Sequence, residues 1–248
     1  MSSCLPGPEQ MSSTSVTLEQ QHQLASYRDL LLERSSRMNL TAIRDTEGVD
    51  QRLIAESLKL LPFIDDSCAA GSEVVDIGTG AGIPGIPLAI VRPDITWTLI
   101  DGTAKKVAFL REVIEALPLH NVVLYHGRVE ELAHEGHLRG RYHCLTARAV
   151  ASLPALLELG LPMIRTGGTL LLPKGPEIAE ELDDAGRAAS ELGARIVSSD
   201  GLQDTGTGVE TRLVIVAKER DTPVQYPRRA GLPARSPLGS QARSAATG

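Results

Sequence analysis

Asp76-Ile77-Gly78-Thr79-Gly80-Ala81-Gly82-Ile83-Pro84-Gly85 decides how the rest of this sequence is read. It closes a short β-branched run, Glu73–Ile77, and opens an apolar stretch, Pro84–Val91, with proline in the first helical turn. Glycines between a strand and a helix let the backbone turn tightly and approach a ligand closely. Gly80–Gly85 also satisfies G-x-G-x-x-G, a pattern that dinucleotide sites share and that is weak alone.

Outward from this loop, short apolar runs alternate with helical stretches. The runs are Glu73–Ile77, Thr96–Ile100, Val122–Tyr125, Cys144–Ala147, Thr169–Leu172, Arg195–Ser198 and Leu213–Ala217. Between most of them lie Pro84–Val91, Ala104–Ala116, Ala151–Met163 and Ile178–Leu192. Strand alternating with helix predicts parallel strands joined by crossovers, a Rossmann-like α/β fold with a seven-stranded sheet. Only the turn-rich Asp200–Gly208 separates the last two runs, which predicts a hairpin and an antiparallel final strand. Upstream, Thr17–Arg37 and Asp50–Leu61 carry helical spacing. The expected organisation is a disordered start over 1–15, a helical cap over 16–65, the sheet domain over 66–219 and a Pro/Arg-rich tail over 220–248.

Composition narrows the class. A hydrophobic fraction of 42% fits a folded globular protein. The start has neither a basic nor an apolar signal region, and no apolar stretch reaches the roughly 20 residues of a spanning helix. Cys4, Cys68 and Cys144 are odd in number and lack CxxC spacing, so they are expected to be reduced thiols in a cytoplasmic protein. The net charge of −6 disfavours a protein that coats nucleic acid, although patches matter more than totals. The end of the chain is such a patch, with Arg220, Arg228, Arg229, Arg235 and Arg243 against Glu219 and Asp221. It suggests a polyanionic partner, while the final ten residues read as a solvated terminus.

Two residues weigh on the ligand. Asp76, at the strand end, is expected to face the crevice, where it would repel a pyrophosphate. S-adenosylmethionine has no phosphate and presents an ammonium and a sulfonium that a carboxylate favours. Pro84 removes one of the helix-start N–H groups that phosphate binders use. Asp101, at the end of the second strand, can accept ribose hydroxyls of either cofactor class. Beyond the third, fourth and fifth strands stand Arg128-Val129-Glu130, Arg148 and Lys174, where open α/β sheets bind ligands. Glu130 is placed to hydrogen-bond an adenine, and the three cations would form an electropositive rim. The six histidines lack ligand spacing tied to a strand end, so no metal is expected.

In this order the residues resemble the RsmG (GidB) family, which methylates N7 of a guanine in 16S ribosomal RNA. The resemblance spans about Met38 to Leu238. It rests on Asn39-Leu40-Thr41, Asp76–Pro87 with Gly-Ile-Pro-Gly-Ile-Pro, Lys105-Lys106-Val107 and Phe109-Leu110. Downstream it rests on Arg128-Val129-Glu130-Glu131, Arg148-Ala149, Ala151-Ser152-Leu153, Lys174-Gly175 and the tail Tyr226–Pro233. It implies a class I methyltransferase fold, S-adenosylmethionine as methyl donor, and the 16S rRNA, the small subunit or an assembly intermediate as partner of a monomer without membrane attachment. Asp76, Gly78, Gly80, Gly82, Ile83, Asp101, Val129, Glu130 and Arg148 would then border the donor. Arg128, Lys174, Arg228 and Arg229 would face the RNA, with Arg128, Arg148 and Lys174 positioning it. The chain departs from the family at Leu53 and Glu56, where His and Asp are usual, and at Ala147, where Ser is usual.

Guanine N7 has an exposed lone pair and no proton, so transfer needs no general base; alignment of the reacting atoms carries the catalysis. The base must also be reachable, which implies unpaired RNA or an assembly intermediate. With 3% aromatic residues, stacking candidates are few, and Tyr226 is one. The alternatives are a methyltransferase on another substrate, a nicotinamide-dependent oxidoreductase and a non-catalytic RNA-binding assembly module.

Overall fold

A computed structural model describes residues 16–148, 150–202 and 210–240. The expected disordered start, Ala149, most of the turn between the last two strands and residues 241–248, Arg243 among them, lie outside the described residues.

Seven strands form one sheet in the order β3-β2-β1-β4-β5-β7-β6. They are β1 (Glu73–Ile77), β2 (Thr96–Asp101), β3 (Val122–His126), β4 (Tyr142–Thr146), β5 (Ile164–Lys174), β6 (Ala194–Gly201) and β7 (Arg212–Lys218). Strands β1 to β5 pair in parallel, and β7 runs antiparallel to both β5 and β6. The doubly wound sheet and its reversed last strand are as the alternation predicts. Strand order reverses between β1 and β4, so the ligand crevice belongs at the carboxyl ends of those strands.

Alternation along β1 assigns each side chain to a layer. Val75 and Ile77 join the core under α8 (Leu153–Gly160) and α9 (Leu182–Glu191). Val74 joins the opposite core, with α5 (Gly85–Val91), α6 (Ala104–Ala116) and the N-terminal helix α1 (Leu18–Met38). Helix α1 starts with a reciprocal capping box between Thr17 and Gln20 and stops at Asn39, whose φ of 50° is left-handed. Its Leu24, Tyr27 and Leu31 are buried in the sheet's own core.

One expectation needs correction. The second N-terminal segment is not one helix over Asp50–Leu61. A short α2 (Thr46–Val49) runs into a π-helical turn (Asp50–Ala55) and a single turn α3 (Glu56–Leu58), and α4 (Leu61–Ser67) restarts with Pro62 in its first turn. The tail is strapped to the body over part of its length. Tyr226 is 7% exposed, and its hydroxyl donates to Glu191. Arg139 donates to the carbonyls of Thr222, Pro223 and Tyr226, which pins the strap to the body. Among the described residues no helix is long and apolar enough to cross a membrane.

Candidate functional site

The loop after β1 is shaped by three left-handed glycines, Gly78, Gly80 and Gly82, with φ of 63°, 62° and 96°. They differ in what lies above them. A Cβ on Gly82 would strike Ile86, and one on Gly78 would meet Val150 at 2.7 Å. A Cβ on Gly80 would have no atom nearer than 3.9 Å, so open space lies over the crest of the loop. Ile83 is nearly buried in the core below.

Asp76 does not face that space. Period-two alternation puts it on the same face as Val74, beneath α5, and it is 0% exposed. Its Oδ2 accepts the Thr79 hydroxyl at 2.6 Å and the Gly85 amide at 3.1 Å. Burial pushes its carboxyl up to about 7, against the pull of Thr79, Gly85 and Thr146. The expectation that Asp76 meets the cofactor's cationic groups is therefore corrected: it holds the loop from below. Tyr27 braces the loop from the other side, donating to the Ala81 carbonyl at 2.8 Å. Its hydroxyl is pushed well up by burial and by nearby Asp76, so it stays a donor.

Asp101 occupies the position expected of a cofactor acid. It accepts the Gly80 amide at 2.9 Å and the Thr103 amide at 2.7 Å, with the Lys106 ammonium 3.9 Å away. A carboxylate offers about four acceptor positions, so two backbone amides leave capacity for hydroxyls. The Gly127 amide donates to the Asp101 carbonyl at 3.2 Å, which brings the start of α7 (Val129–Leu132) alongside. Gly78, Gly80, Gly82, Asp101 and Val129 thus converge on one strand-end rim. Glu130 is engaged by the strap, its Oε1 accepting the Gly231 amide at 2.8 Å.

The cations divide. Arg128 is exposed and makes no side-chain hydrogen bond among the described residues, and Arg229 is exposed as well. Arg148 is anchored by Nη2 to the Arg52 carbonyl at 3.0 Å, while its Nη1 is buried without a hydrogen-bond partner. Burial lowers its pKa, partly offset by Glu56. Lys174 turns inward, donating to the Ala151 carbonyl at 2.7 Å with Glu181 at 3.8 Å. Burial lowers its pKa too. Glu181 in turn accepts the Leu153 amide, so Lys174 organises the loop after β4. Arg228, expected on RNA, is instead committed to Glu158, which is 0% exposed and lies 2.6 Å away. Sequence reasoning missed Tyr27, which looked like one more apolar position in the α1 stripe, and Lys106.

A sheet in the order β3-β2-β1-β4-β5-β7-β6 with β7 reversed, carrying a glycine crest and a strand-end acid, has the architecture of a class I S-adenosylmethionine-dependent methyltransferase. In fold the chain resembles the M. jannaschii TYW2 in complex with AdoMet, at TM-score 0.51 and 20% identity over 68% of this chain and 77% of that one. Residues 20–206 match the family model GidB, rRNA small subunit methyltransferase G, and the chain belongs to that family. It is 40% identical over 220 residues to the ribosomal RNA small subunit methyltransferase G of Deinococcus radiodurans, covering 88% of this chain and 85% of the relative. The Alkaliphilus oremlandii protein of the same name is 36% identical over 90% of this chain and 92% of its own length. The family resemblance carried by the loop motifs holds.

Proposed function

We infer that this protein methylates N7 of a guanine in 16S rRNA, in the small subunit or an assembly intermediate, with S-adenosylmethionine as donor. The open face of Gly80, its amide held by Asp101, is the observation that carries the donor site, and the family match over residues 20–206 supports rRNA as acceptor. The space above a glycine crest suits a ligand that a side chain would displace, and Asp101 retains acceptor capacity for ribose hydroxyls. When bound, the donor supplies an electrophilic methyl group to a lone pair that needs no deprotonation.

The chain's own residues then hold and orient. Gly78, Gly80 and Gly82 shape the crest, Asp76 and Tyr27 stiffen it, and Asp101 and Val129 flank it. Lys174 sets the loop beyond β4, where the base would enter. Of the cations expected on RNA, Arg128 and Arg229 are exposed and available to phosphates. A cytoplasmic monomer is part of the same proposal.

Mass mapping of N7-methylguanine, after incubating small-subunit particles with enzyme and donor, tests it. A single new modified guanine is expected. Transfer only to another acceptor, or none, would overturn the reading. RNA binding should also weaken steeply as salt rises.

A further inference from the structure

Beside the glycine loop lies a narrow cleft. Glu56 and Leu60 of the cap, Pro84 at the loop's end, Arg148 after β4, Pro173 on β5 and Thr211 before β7 line it. The cleft as a whole has about 20 Å³ of free room, about the space of one water. We propose that Glu56 is a specificity-determining residue that reads the target guanine, its carboxylate accepting N1–H and N2–H while Arg148 donates to O6. The proposal rests on the guanine-N7 reading and names the groups that select the base.

Four observations converge. Glu56 is a carboxylate only 7% exposed, and desolvating a charge that far is unfavourable without a dedicated set of partners. It is fixed from two directions, by Lys59 Nζ at 2.5 Å and the Thr211 hydroxyl at 3.2 Å, the latter 155 residues away in sequence. Arg148 Nη1 is a buried donor without a hydrogen bond, although Nη2 of the same guanidinium is anchored. Native structures rarely leave a buried guanidinium N–H unsatisfied, and a ligand acceptor would complete it. The preceding π-helical turn supplies the Arg52 carbonyl that holds Arg148, and such turns recur at functional sites.

The chemistry matches one base. Guanine's Watson–Crick edge runs acceptor, donor, donor. A guanidinium beside a carboxylate offers the complementary donor, acceptor, acceptor. Adenine would bring its N6 amino donor to Arg148 and its N1 acceptor to Glu56, leaving both charges unmatched in a buried place. The carboxylate also acts on the reaction. As N7 gives its lone pair to the new N–C bond, the S–C pair stays on sulfur and the purine becomes cationic. No proton leaves, but N1–H becomes a stronger donor, so its bond to Glu56 strengthens in the transition state. Glu56 likewise offsets Arg148 beside the growing charge.

The test uses full-length enzyme and small-subunit particles rebuilt with 16S rRNA carrying guanosine or inosine at the target. Inosine keeps N7, O6 and N1–H but lacks the 2-amino group. Wild type should lose about tenfold or more in kcat/KM on inosine, the size of a lost hydrogen bond to a charged group. Glu56→Gln should lose about tenfold or more in kcat on guanosine and discriminate less between the two RNAs. Its donor affinity by calorimetry should stay near wild type, while its melting temperature falls because buried Lys59 loses its counter-charge; a merely structural role would slow both RNAs alike and keep the ratio between them. Wild type methylating both RNAs equally, an arm that needs no variant, would overturn the proposal. So would Glu56→Gln keeping the wild-type ratio. Absence of any N7-methylguanine with wild type on guanosine would instead sink the functional reading on which the proposal rests.

Discussion

The Gly80 amide donates to the Asp101 carboxylate at 2.9 Å, so the crest of the loop is fixed by the acid that we propose receives a cofactor ribose. On that reading one acid couples loop shape to ligand contact. Gly80→Ala would keep that amide but send a Cβ into the open space, at a φ that disfavours L-residues by about 1 kcal/mol. Donor affinity is expected to fall roughly tenfold to a hundredfold by calorimetry, about 1.4 kcal/mol per decade. Gly80→Asp should abolish binding. Unchanged affinity in Gly80→Ala would place the cofactor elsewhere.

Tyr27 reaches across 54 residues to hold the Ala81 carbonyl. Tyr27→Phe leaves that buried carbonyl without its donor and should lower stability by about 1–3 kcal/mol. Because the loop is what loosens, donor affinity should fall in the same variant. A drop in melting temperature with unaltered donor binding would separate Tyr27 from the site.

Burial raises the Asp76 carboxyl from 3.8 to about 7, so between those values the folded chain holds a proton that the unfolded chain has lost. Asp76's contribution is therefore complete below about pH 4 and declines as pH rises through about 7. Asn at this position cannot ionise. Urea midpoints of Asp76→Asn should fall less than those of wild type as pH climbs from about 4 to about 8. Parallel curves would show that Asp76 does not titrate in that window.

Lys174→Ala removes the tether on Ala151 and leaves the glycine crest intact. RNA methylation should drop about tenfold, as for a lost charged hydrogen bond, with donor affinity largely kept. Equal losses in both readouts would contradict the separation of roles.

Arg228 neutralises a fully buried Glu158. Arg228→Ala should destabilise by about 3–5 kcal/mol in thermal or urea unfolding, because a lone charge stays buried. Arg229→Ala should leave stability near wild type but shallow the salt dependence of RNA binding by about one counterion. The opposite pattern would return Arg228 to the RNA.

Much of the architecture was legible before any coordinates. Ala104–Ala116 and Glu73–Ile77 read correctly to the residue because each has its own periodicity and flanking signals. The segment from Asp50 to Leu61 misled because apolar spacing reports burial, not an unbroken hydrogen-bond ladder. Its π-helical turn is held where Arg52 meets Arg148, a contact between segments 96 residues apart.

By itself the chain's order of residues determined the loop, the alternation and the strand-end acids, because turns, periods and glycine torsions depend on neighbours a few positions apart. Tertiary structure alone decided where the charged side chains point. Asp76 turned inward with the pleat, Arg228 closed on Glu158, and Glu56 joined Arg148 in one cleft. Coulomb and hydrogen-bond energies act over a few ångströms of space, and only the packed sheet sets those distances.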